Sequence, residues 1–326
     1  MSEQIAARFR RFAAVEARDH SPRYEAFAHG VAADPFALRF LAAMPEEKRQ
    51  PNLLFAALRH VCGTPQDWPA FRAMLRDHAP AVRGAMLAHR TQTNEAGRCA
   101  TLLPVLARLP QPLALIEAGA SAGLCLLPDR YGYDYGATRL PPPTADAPVF
   151  PCRADPATPL PTAHPHIVWR CGIDLDPPDI ADAADRAWLE ALVWPEQADR
   201  LARLRAAMVV AQRDPPRVVR GDLLMHLQTC ARQAPADATL VVFHSAALAY
   251  VADPDLREAF ARSVREIGAV WISNEAPGVF PWIRERLERP GPRGAFLLSL
   301  DDVPAAWTDP HGGWIEWIVG AEEAVT

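Results

Sequence analysis

Leu113-Ala-Leu-Ile-Glu-Ala-Gly-Ala-Ser-Ala-Gly-Leu124 is an apolar run that ends in an acidic residue and a cluster of very small residues. This pattern predicts a buried parallel strand followed by a tight turn into a helix, with the backbone N–H groups of the turn pointing above the carboxyl end of the strand. Gly119 and Gly123 would let a ligand approach the main chain closely, and Glu117 would accept hydrogen bonds from it. The segment predicts a ligand-binding loop, with an ordinary turn of an α/β core as the alternative.

Length and composition restrict the class of protein. The 326 residues exceed what one compact core usually organises, and half of them are apolar, so we expect one large domain with an appendage, or two domains. A net charge of −5 and an isoelectric point near 6.1 provide no basic surface of the kind that binds nucleic acid. We therefore expect a small-molecule ligand and no nucleic-acid partner.

The sequence indicates neither a membrane span nor a metal site. No window approaches the roughly 18 to 20 apolar residues of a membrane span, and the N-terminus lacks the apolar stretch of a secretory signal, which predicts a cytoplasmic protein. The six cysteines are scattered singly, without a Cys-x-x-Cys pair or a histidine at ligand spacing. We expect them to be small core residues, with no disulfide framework and no metal. The oligomeric state stays open.

Residues 1–110 have the apolar spacing of helices, as in Ile5, Phe9 and Phe12. We expect this region to form an all-helical N-terminal domain or cap, and residues 111–326 to form a second domain.

A polar run, Arg90-Thr-Gln-Thr-Asn-Glu-Ala-Gly-Arg98, interrupts the helical region shortly before the glycine-rich turn. One interpretation is a solvated helix start capped by Thr93 or Asn94. The other is a segment that roofs the ligand site.

Beyond residue 110, short apolar runs alternate with helical patterns, which predicts βα units around a mostly parallel sheet. Seven strands are expected, at Leu113–Glu117, Ile167–Ile173, Arg217–Val219, Leu240–Phe243, Ala269–Ser273, Phe296–Leu300 and Trp314–Val319. Only a loop separates the last two, which would allow them to close as an antiparallel hairpin. Residues 137–166 contain nine prolines and are predicted to be an irregular insertion.

Polar residues follow nearly every predicted strand, at the edge of a parallel sheet where ligands usually bind. Asp174 or Asp176 would suit the two hydroxyls of a ribose, and Asp222 would meet an adenine amino group. His244 and Ser245 would face the reacting end of the ligand. The alternatives are a helix N-cap for each acid and a satisfied, partly buried side chain for the histidine.

The chain resembles the bacterial family called domain of unknown function 2332, and the likeness covers nearly its whole length. The segments that carry it are Arg90–Cys99, Glu117–Leu124, Gly172–Pro177, Trp194–Gln197, Val242–Ser245 and Trp271–Glu275.

The predicted strands and the Glu-x-Gly-x-x-x-Gly turn are also similar to the class I methyltransferases that use S-adenosylmethionine. That resemblance implies a Rossmann-like sheet of seven strands with the last one antiparallel, and S-adenosylmethionine as the cofactor. It also implies a set of cofactor contacts: Glu117, Gly119, Ser121 and Gly123 in the first loop, Asp174 or Asp176 at ribose, and Asp222 at adenine.

This chain departs from the methyltransferase pattern at two points. Ser121 stands where a third glycine is frequent, and the acid after the second strand comes about fifty residues after the loop instead of about twenty. Either residues 125–166 are an insertion, which we favour, or the ribose acid is Asp129 or Asp134.

For methyl transfer to a small molecule, His244 is the expected base, because an imidazole accepts a proton at cellular pH. Ser245 lies beside it, and Tyr250, Asn274 and Glu275 would orient the acceptor. The sequence does not identify that acceptor.

Two other functions are compatible with the sequence. Gly119-Ala-Ser-Ala-Gly123 matches the nucleophile elbow of serine hydrolases, with Ser121 as the nucleophile and with Asp222 or Asp253 and His311 following in hydrolase order. Against it, hydrolase elbows follow several strands, whereas a helical pattern precedes Leu113. The other alternative is a protein that binds a nucleoside or S-adenosylmethionine without catalysis. A dinucleotide oxidoreductase is disfavoured, because the Gly-x-Gly-x-x-Gly spacing is missing.

Overall fold

The computed structural model describes residues 2–92, 94–287 and 289–318. The helices are α1 (Ser2–Phe12), α2 (Pro22–Ala33), α3 (Pro35–Ala42), α4 (Pro51–Cys62), α5 (Trp68–Asp77), α6 (Ala79–Ala88), α7 (Cys99–Leu106), α8 (Ala183–Leu192), α9 (Ala198–Arg213), α10 (Leu223–Ala231), α11 (Pro254–Glu266) and α12 (Pro281–Arg284). The strands are β1 (Leu113–Ala118), β2 (Gly132–Asp134), β3 (Arg139–Leu140), β4 (Val149–Pro151), β5 (Arg153–Ala154), β6 (Ile167–Asp174), β7 (Arg217–Arg220), β8 (Thr239–Ser245), β9 (Val270–Glu275), β10 (Phe296–Leu300), β11 (Val303–Thr308) and β12 (Trp314–Trp317).

The chain divides into two compact units that do not follow the expected boundary at residue 110. The first unit is Met1–Thr93 with Ala181–Ala202, and the second is Asn94–Ile180 with Arg203–Thr326. Helix α7, expected in the N-terminal domain, therefore belongs to the second unit. Helix α8 belongs to the first, because its Trp188 is part of the apolar core of that unit.

The first unit is helical, as the apolar spacing predicts. Proline occupies the start of several of its helices, where no backbone N–H is needed. Side chains of Ser21, Asp34 and Asp67 cap three of these starts by accepting a backbone N–H. The core is rich in aromatic side chains exposed by 1% or less, namely Phe9, Tyr24, Phe27, Phe55 and Phe71.

The second unit is built on a mixed sheet in the order β5-β12-β11-β10-β9-β8-β1-β6-β7. Strands β7, β6, β1, β8 and β9 are mutually parallel, and β10, β11 and β12 follow as antiparallel neighbours. The α/β class and the mostly parallel sheet are thus confirmed. All seven expected strands are present, although Val319 lies outside the described residues, and β5 and β11 raise the number in this sheet to nine.

The expected pairing of the last two strands needs correction. Strand β11 lies between β10 and β12 and pairs with both, so the two expected strands are not neighbours. It contains Pro304, which lacks a backbone donor, and the ladder with β10 is irregular at that point, between Leu298 and Ser299. Prolines are tolerated in strands at such irregularities.

Strand β1 is the point at which the strand order reverses. The chain proceeds from β1 to β6 and β7 on one side, then returns to β8 and β9 on the other. In open α/β sheets, ligands bind at the carboxyl ends of the two strands where the order reverses. Here those strands are β1 and β8, and every residue of β1 is buried.

The sheet has two distinct faces near this point. Ile116, Ala118 and Val242 lie in the apolar core that α10 and α11 help to form, which we call the α10–α11 face. Because side chains alternate along a strand, Glu117 lies on the opposite face.

Residues 137–166 are largely irregular. They contain three short strands, two of which, β3 and β4, pair with β2 in a small separate sheet. Among the described residues, no helix combines the length and apolarity needed to cross a membrane.

Candidate functional site

The glycine-rich loop after β1 uses its own backbone donors within the protein. The bonds are Gly119 N and Ala120 N to Ile173 O (2.8 and 3.2 Å), Ser121 N to Asp174 Oδ2 (2.8 Å), Ala122 N to Asn94 Oδ1 (2.9 Å) and Gly123 N to Ala120 O (2.7 Å). These amides were expected to point at a ligand. They instead hold the loop in place, so a ligand at this edge of the sheet meets side chains.

Close packing explains the small residues of the loop. Gly119 has a φ of +74°, and a Cβ atom there would lie 2.4 Å from Cβ of Ala247. Gly123 has a φ of +72°, and a Cβ atom there would lie 2.8 Å from Cγ of Pro216. Ser121, in place of a third glycine, also adopts a left-handed φ of +49°. Both glycines therefore bring the loop against its neighbours.

Glu117 is the buried carboxyl group at the order reversal. Its side chain lies at the carboxyl end of β1 and is 5% exposed, and its Oε2 has no hydrogen-bond partner among the described residues. Burial is the main cause that raises the pKa of this carboxyl well above its ordinary value, and Cys125 adds to it. The nearby charge of Arg98 lowers the pKa and that of Asp174 raises it. A buried acceptor without a partner is a group that a ligand with a donor can satisfy.

The segment 94–98 spans the carboxyl ends of β1 and β8. Asn94 Nδ2 donates to Ser121 Oγ over 2.7 Å, in the loop after β1. Arg98, which is 6% exposed, donates from Nη1 to the carbonyl oxygen of Ser245 at the end of β8 and from Nε to that of Pro310, both over 2.8 Å. These bonds favour the interpretation that this part of the polar run covers the predicted ligand site.

The expected helix cap in the polar run is corrected at one residue. Glu95, not Asn94, caps the short 3-10 helix Ala96–Arg98, by accepting the Gly97 N–H at 3.2 Å. The other expected cap, Thr93, lies outside the described residues.

The three acids expected at ribose and adenine are engaged with the protein. Asp174 accepts Ser121 N–H at Oδ2 and Asp176 N–H at Oδ1, which ties the loop after β1 to the end of β6. Asp176 forms an ion pair with Arg220. Asp222 is exposed and caps α10 by accepting the N–H groups of its first turn. Asp222 therefore has the helix-cap role that the sequence left open.

The two alternative ribose acids are also paired. Asp129 binds the guanidinium of Arg170 through both carboxylate oxygens, at 3.0 and 3.1 Å. Asp134 forms an ion pair of 3.0 Å with Arg139. Neither acid lies at the end of β1 or β8.

His244, the expected base, is fully buried on the α10–α11 face, away from Glu117. Trp271 donates its indole N–H to His244 Nε2 over 3.0 Å, and His244 Nδ1 lies 2.8 Å from Glu275 Oε1. Because an indole only donates, Nε2 is an acceptor and the proton resides on Nδ1. Neither ring nitrogen is free to take a proton from a substrate, so the geometry favours a satisfied core histidine.

Of the other expected catalytic residues, Glu275 contacts His244, and Ser245 and Tyr250 lie elsewhere. Glu275 Oε1 also accepts the N–H groups of Ala247 and Leu248, at 2.8 and 2.9 Å, and thereby holds the turn after β8. Ser245, on the same face as Glu117, accepts a bond of 3.2 Å from the side chain of Asn274. Tyr250 is 73% exposed. The structure therefore brings His244 and Glu275 into contact, but it places Ser245 on the opposite face of the sheet and Tyr250 at the surface.

The hydrolase alternative finds no assembled triad. The hydroxyl of Ser121 bonds to Asn94, and within the described part of the chain no histidine bonds to it. Asp253, like Asp222, caps a helix. His311 instead contacts Glu95 over 3.5 Å.

Reasoning from the sequence missed Arg98 as an individual residue of the site. The available signal was the polar character of the run that ends with it, in a region of amphipathic helices. Arg98 matters to the site because its buried charge lies near Glu117. The spacing of the two residues along the chain does not show that they are close in space.

Comparison with known proteins gives one match. No curated protein and no solved structure matches the chain. The family model described as "Uncharacterized protein conserved in bacteria (DUF2332)" matches residues 6–317, and the chain therefore belongs to this family.

Proposed function

We propose that the chain binds S-adenosylmethionine at the carboxyl ends of β1 and β8 and transfers its methyl group to a small molecule. The observation that carries the proposal is the buried Glu117 carboxyl at the reversal of the strand order, whose Oε2 finds no hydrogen-bond partner in the part of the chain that the structure describes. A buried acceptor left without a hydrogen bond costs about 1 to 3 kcal/mol. A ligand that donates to this oxygen removes that cost.

The chemistry of Glu117 suits the ammonium group of an amino-acid moiety. Burial favours the protonated carboxyl in the free protein, which is why its pKa is raised. A cationic donor beside it would favour the carboxylate and lower that pKa. Binding would therefore release a proton, and affinity would increase with pH until Glu117 is already ionised.

The strand order supports the same proposal. Five parallel strands reverse their order at β1, and the antiparallel strand β10 lies beside the fifth of them. This arrangement is compatible with the methyltransferase-like core expected from the glycine-rich turn. The segment 94–98 would cover the ligand through Asn94 and Arg98.

The state of His244 restricts the acceptor. S-adenosylmethionine supplies a methyl group that is already attached to a sulfonium leaving group. Since His244 is sealed by Trp271 and Glu275, the acceptor would need a nucleophile that is unprotonated at neutral pH, such as a carboxylate or an aromatic nitrogen.

The burial of His244 between Trp271 and Glu275 also favours a second candidate, a protein that binds S-adenosylmethionine without catalysis. A buried histidine with two partners and an exposed Tyr250 provide no proton acceptor near Glu117. Turnover separates the two candidates.

Calorimetric titration with S-adenosylmethionine, S-adenosylhomocysteine and NAD tests the binding site. We expect the first two to bind, and Glu117→Gln to weaken S-adenosylhomocysteine by tenfold or more, which is about 1.4 kcal/mol. Asp222→Asn is the matched control, because asparagine keeps the helix cap and removes a carboxylate that follows β7, at the edge of the same sheet. Equal affinity in the wild type and the Gln variant would contradict the proposal.

Formation of S-adenosylhomocysteine from methyl-labelled S-adenosylmethionine, in the presence of a small-molecule extract, tests catalysis. Methyltransferase activity predicts label in an extracted compound. Binding without any product above a protein-free blank supports the second candidate.

A further inference from the structure

A cavity of about 650 Å³ lies apart from Glu117, in the loops around the start of β10. Its lining comes from Pro277 and Gly278 after β9, from the loop that follows α12, and from Trp307 of β11. Its size is within the range of about 300 to 1,000 Å³ that is usual for small-molecule sites. None of the residues predicted for the site at β1 lines it.

One wall of the cavity is apolar and shaped by a glycine. A Cβ atom at Gly291 would lie 2.3 Å from Cδ2 and Cε2 of Trp307, so the main chain lies directly against the indole. Trp307 is 8% exposed, and Leu287 and Pro277 also line the cavity. Gly291 covers part of the indole, so the apolar surface open to a ring consists of Leu287, Pro277 and the remaining part of Trp307 that lines the cavity.

The rim of the cavity is cationic. Arg284 and Arg289 line it and are exposed, and neither guanidinium pairs with a carboxylate of the described residues. Among the described residues that line the cavity, Glu285 is the one acid. Two unpaired guanidinium groups next to an apolar wall are suited to an anionic group, which they can bind through two parallel hydrogen bonds.

We propose that this cavity, the Arg284–Arg289 pocket, binds a small aromatic compound that carries a carboxylate or a phosphate. The aromatic ring packs along the wall formed by Trp307 and Leu287. The anionic group lies between the two guanidinium groups. The proposal does not depend on S-adenosylmethionine binding at Glu117.

Calorimetric titration with 2-naphthoate, 2-naphthyl phosphate and the uncharged 2-naphthamide tests the pocket on the full chain. We expect at least one anion to bind the wild type, and Arg284→Gln with Arg289→Gln to weaken that binding by tenfold or more. The matched control is Arg286→Gln with Arg293→Gln, which removes the same charge from exposed neighbours that do not line the cavity. The control should change the affinity by less than twofold.

The stronger of the two anions identifies the preferred group. The proposal is overturned if neither anion binds, if both double variants lose affinity equally, or if 2-naphthamide binds as tightly as the anions. Circular dichroism spectra of both double variants establish that they are folded.

Discussion

Replacing Glu117 by glutamine should make the ligand-free protein more stable at neutral and alkaline pH. Burial raises the pKa of the Glu117 carboxyl well above its ordinary value of 4.5, so the folded protein holds the proton more tightly than the unfolded chain does. The bound proton contributes fully to the stability of the folded protein below pH 4.5. This contribution is lost as the pH rises through the pKa that Glu117 has in the folded protein. Glutamine has nearly the same shape and does not ionise.

The size of the effect follows from the burial of the carboxylate. A tenfold difference in proton affinity between the folded and unfolded states corresponds to about 1.4 kcal/mol. The amide of glutamine would also lack a hydrogen-bond partner at this position. The substitution therefore removes only the free-energy cost of burying a charged carboxylate. We expect Glu117→Gln to be more stable than the wild type at pH 8, by about 1.4 kcal/mol for each tenfold by which the folded protein binds the Glu117 proton more tightly than the unfolded chain, and to be equal to it near pH 4.

Urea denaturation at several pH values between 4 and 9 measures this difference. The Asp222→Asn variant serves as the control, since its exposed helix cap predicts a nearly constant difference over the same range. A Glu117→Gln protein that is less stable than the wild type at pH 8, or a difference that does not change with pH, would refute the reasoning.

Three further predictions concern the loop after β1, the helix cap at Asp222 and the contact of Asn94 with the loop. Gly119→Ala should destabilise the fold by about 2 kcal/mol or more, because the new methyl group would meet Ala247 and the φ of +74° strains an alanine; the midpoint of urea denaturation measures this. Asp222→Ala should cost about 1 kcal/mol, whereas Asp222→Asn should cost only a few tenths, and neither should change S-adenosylhomocysteine affinity in calorimetry; a tenfold loss in both would restore the predicted adenine contact. Asn94→Ala should cost about 1 to 3 kcal/mol in the same denaturation assay, because it leaves two polar groups of the loop without partners; an unchanged midpoint would show that the segment 94–98 does not hold the loop.

Hydrophobic patterning predicted seven strands of the nine-stranded sheet, but not β5 and β11. Strand β5 is the dipeptide Arg153–Ala154, which is too short to show any periodicity. Strand β11 contains Pro304, and a proline is normally evidence of a loop. Both strands pair because of neighbours that are distant in sequence.

Glu117 and the polar run were predictable because an acid buried at a strand end and a polar interruption of helices are visible locally. The role of Asp222 was not, since a carboxylate directly after a strand can cap the next helix or face a ligand from the same position. His244 depends on Trp271 and Glu275, which come from the neighbouring strand about thirty residues later. Their meeting is fixed by sheet pairing, which the sequence of β8 alone does not specify.

A crystal structure of the chain with S-adenosylhomocysteine would locate the ligand relative to Glu117. We expect the ligand at the carboxyl ends of β1 and β8, beneath the segment 94–98, with its amino group within about 3 Å of the Glu117 carboxylate. A ligand bound elsewhere, or a Glu117 side chain that another group of the protein satisfies when the ligand is present, would contradict it.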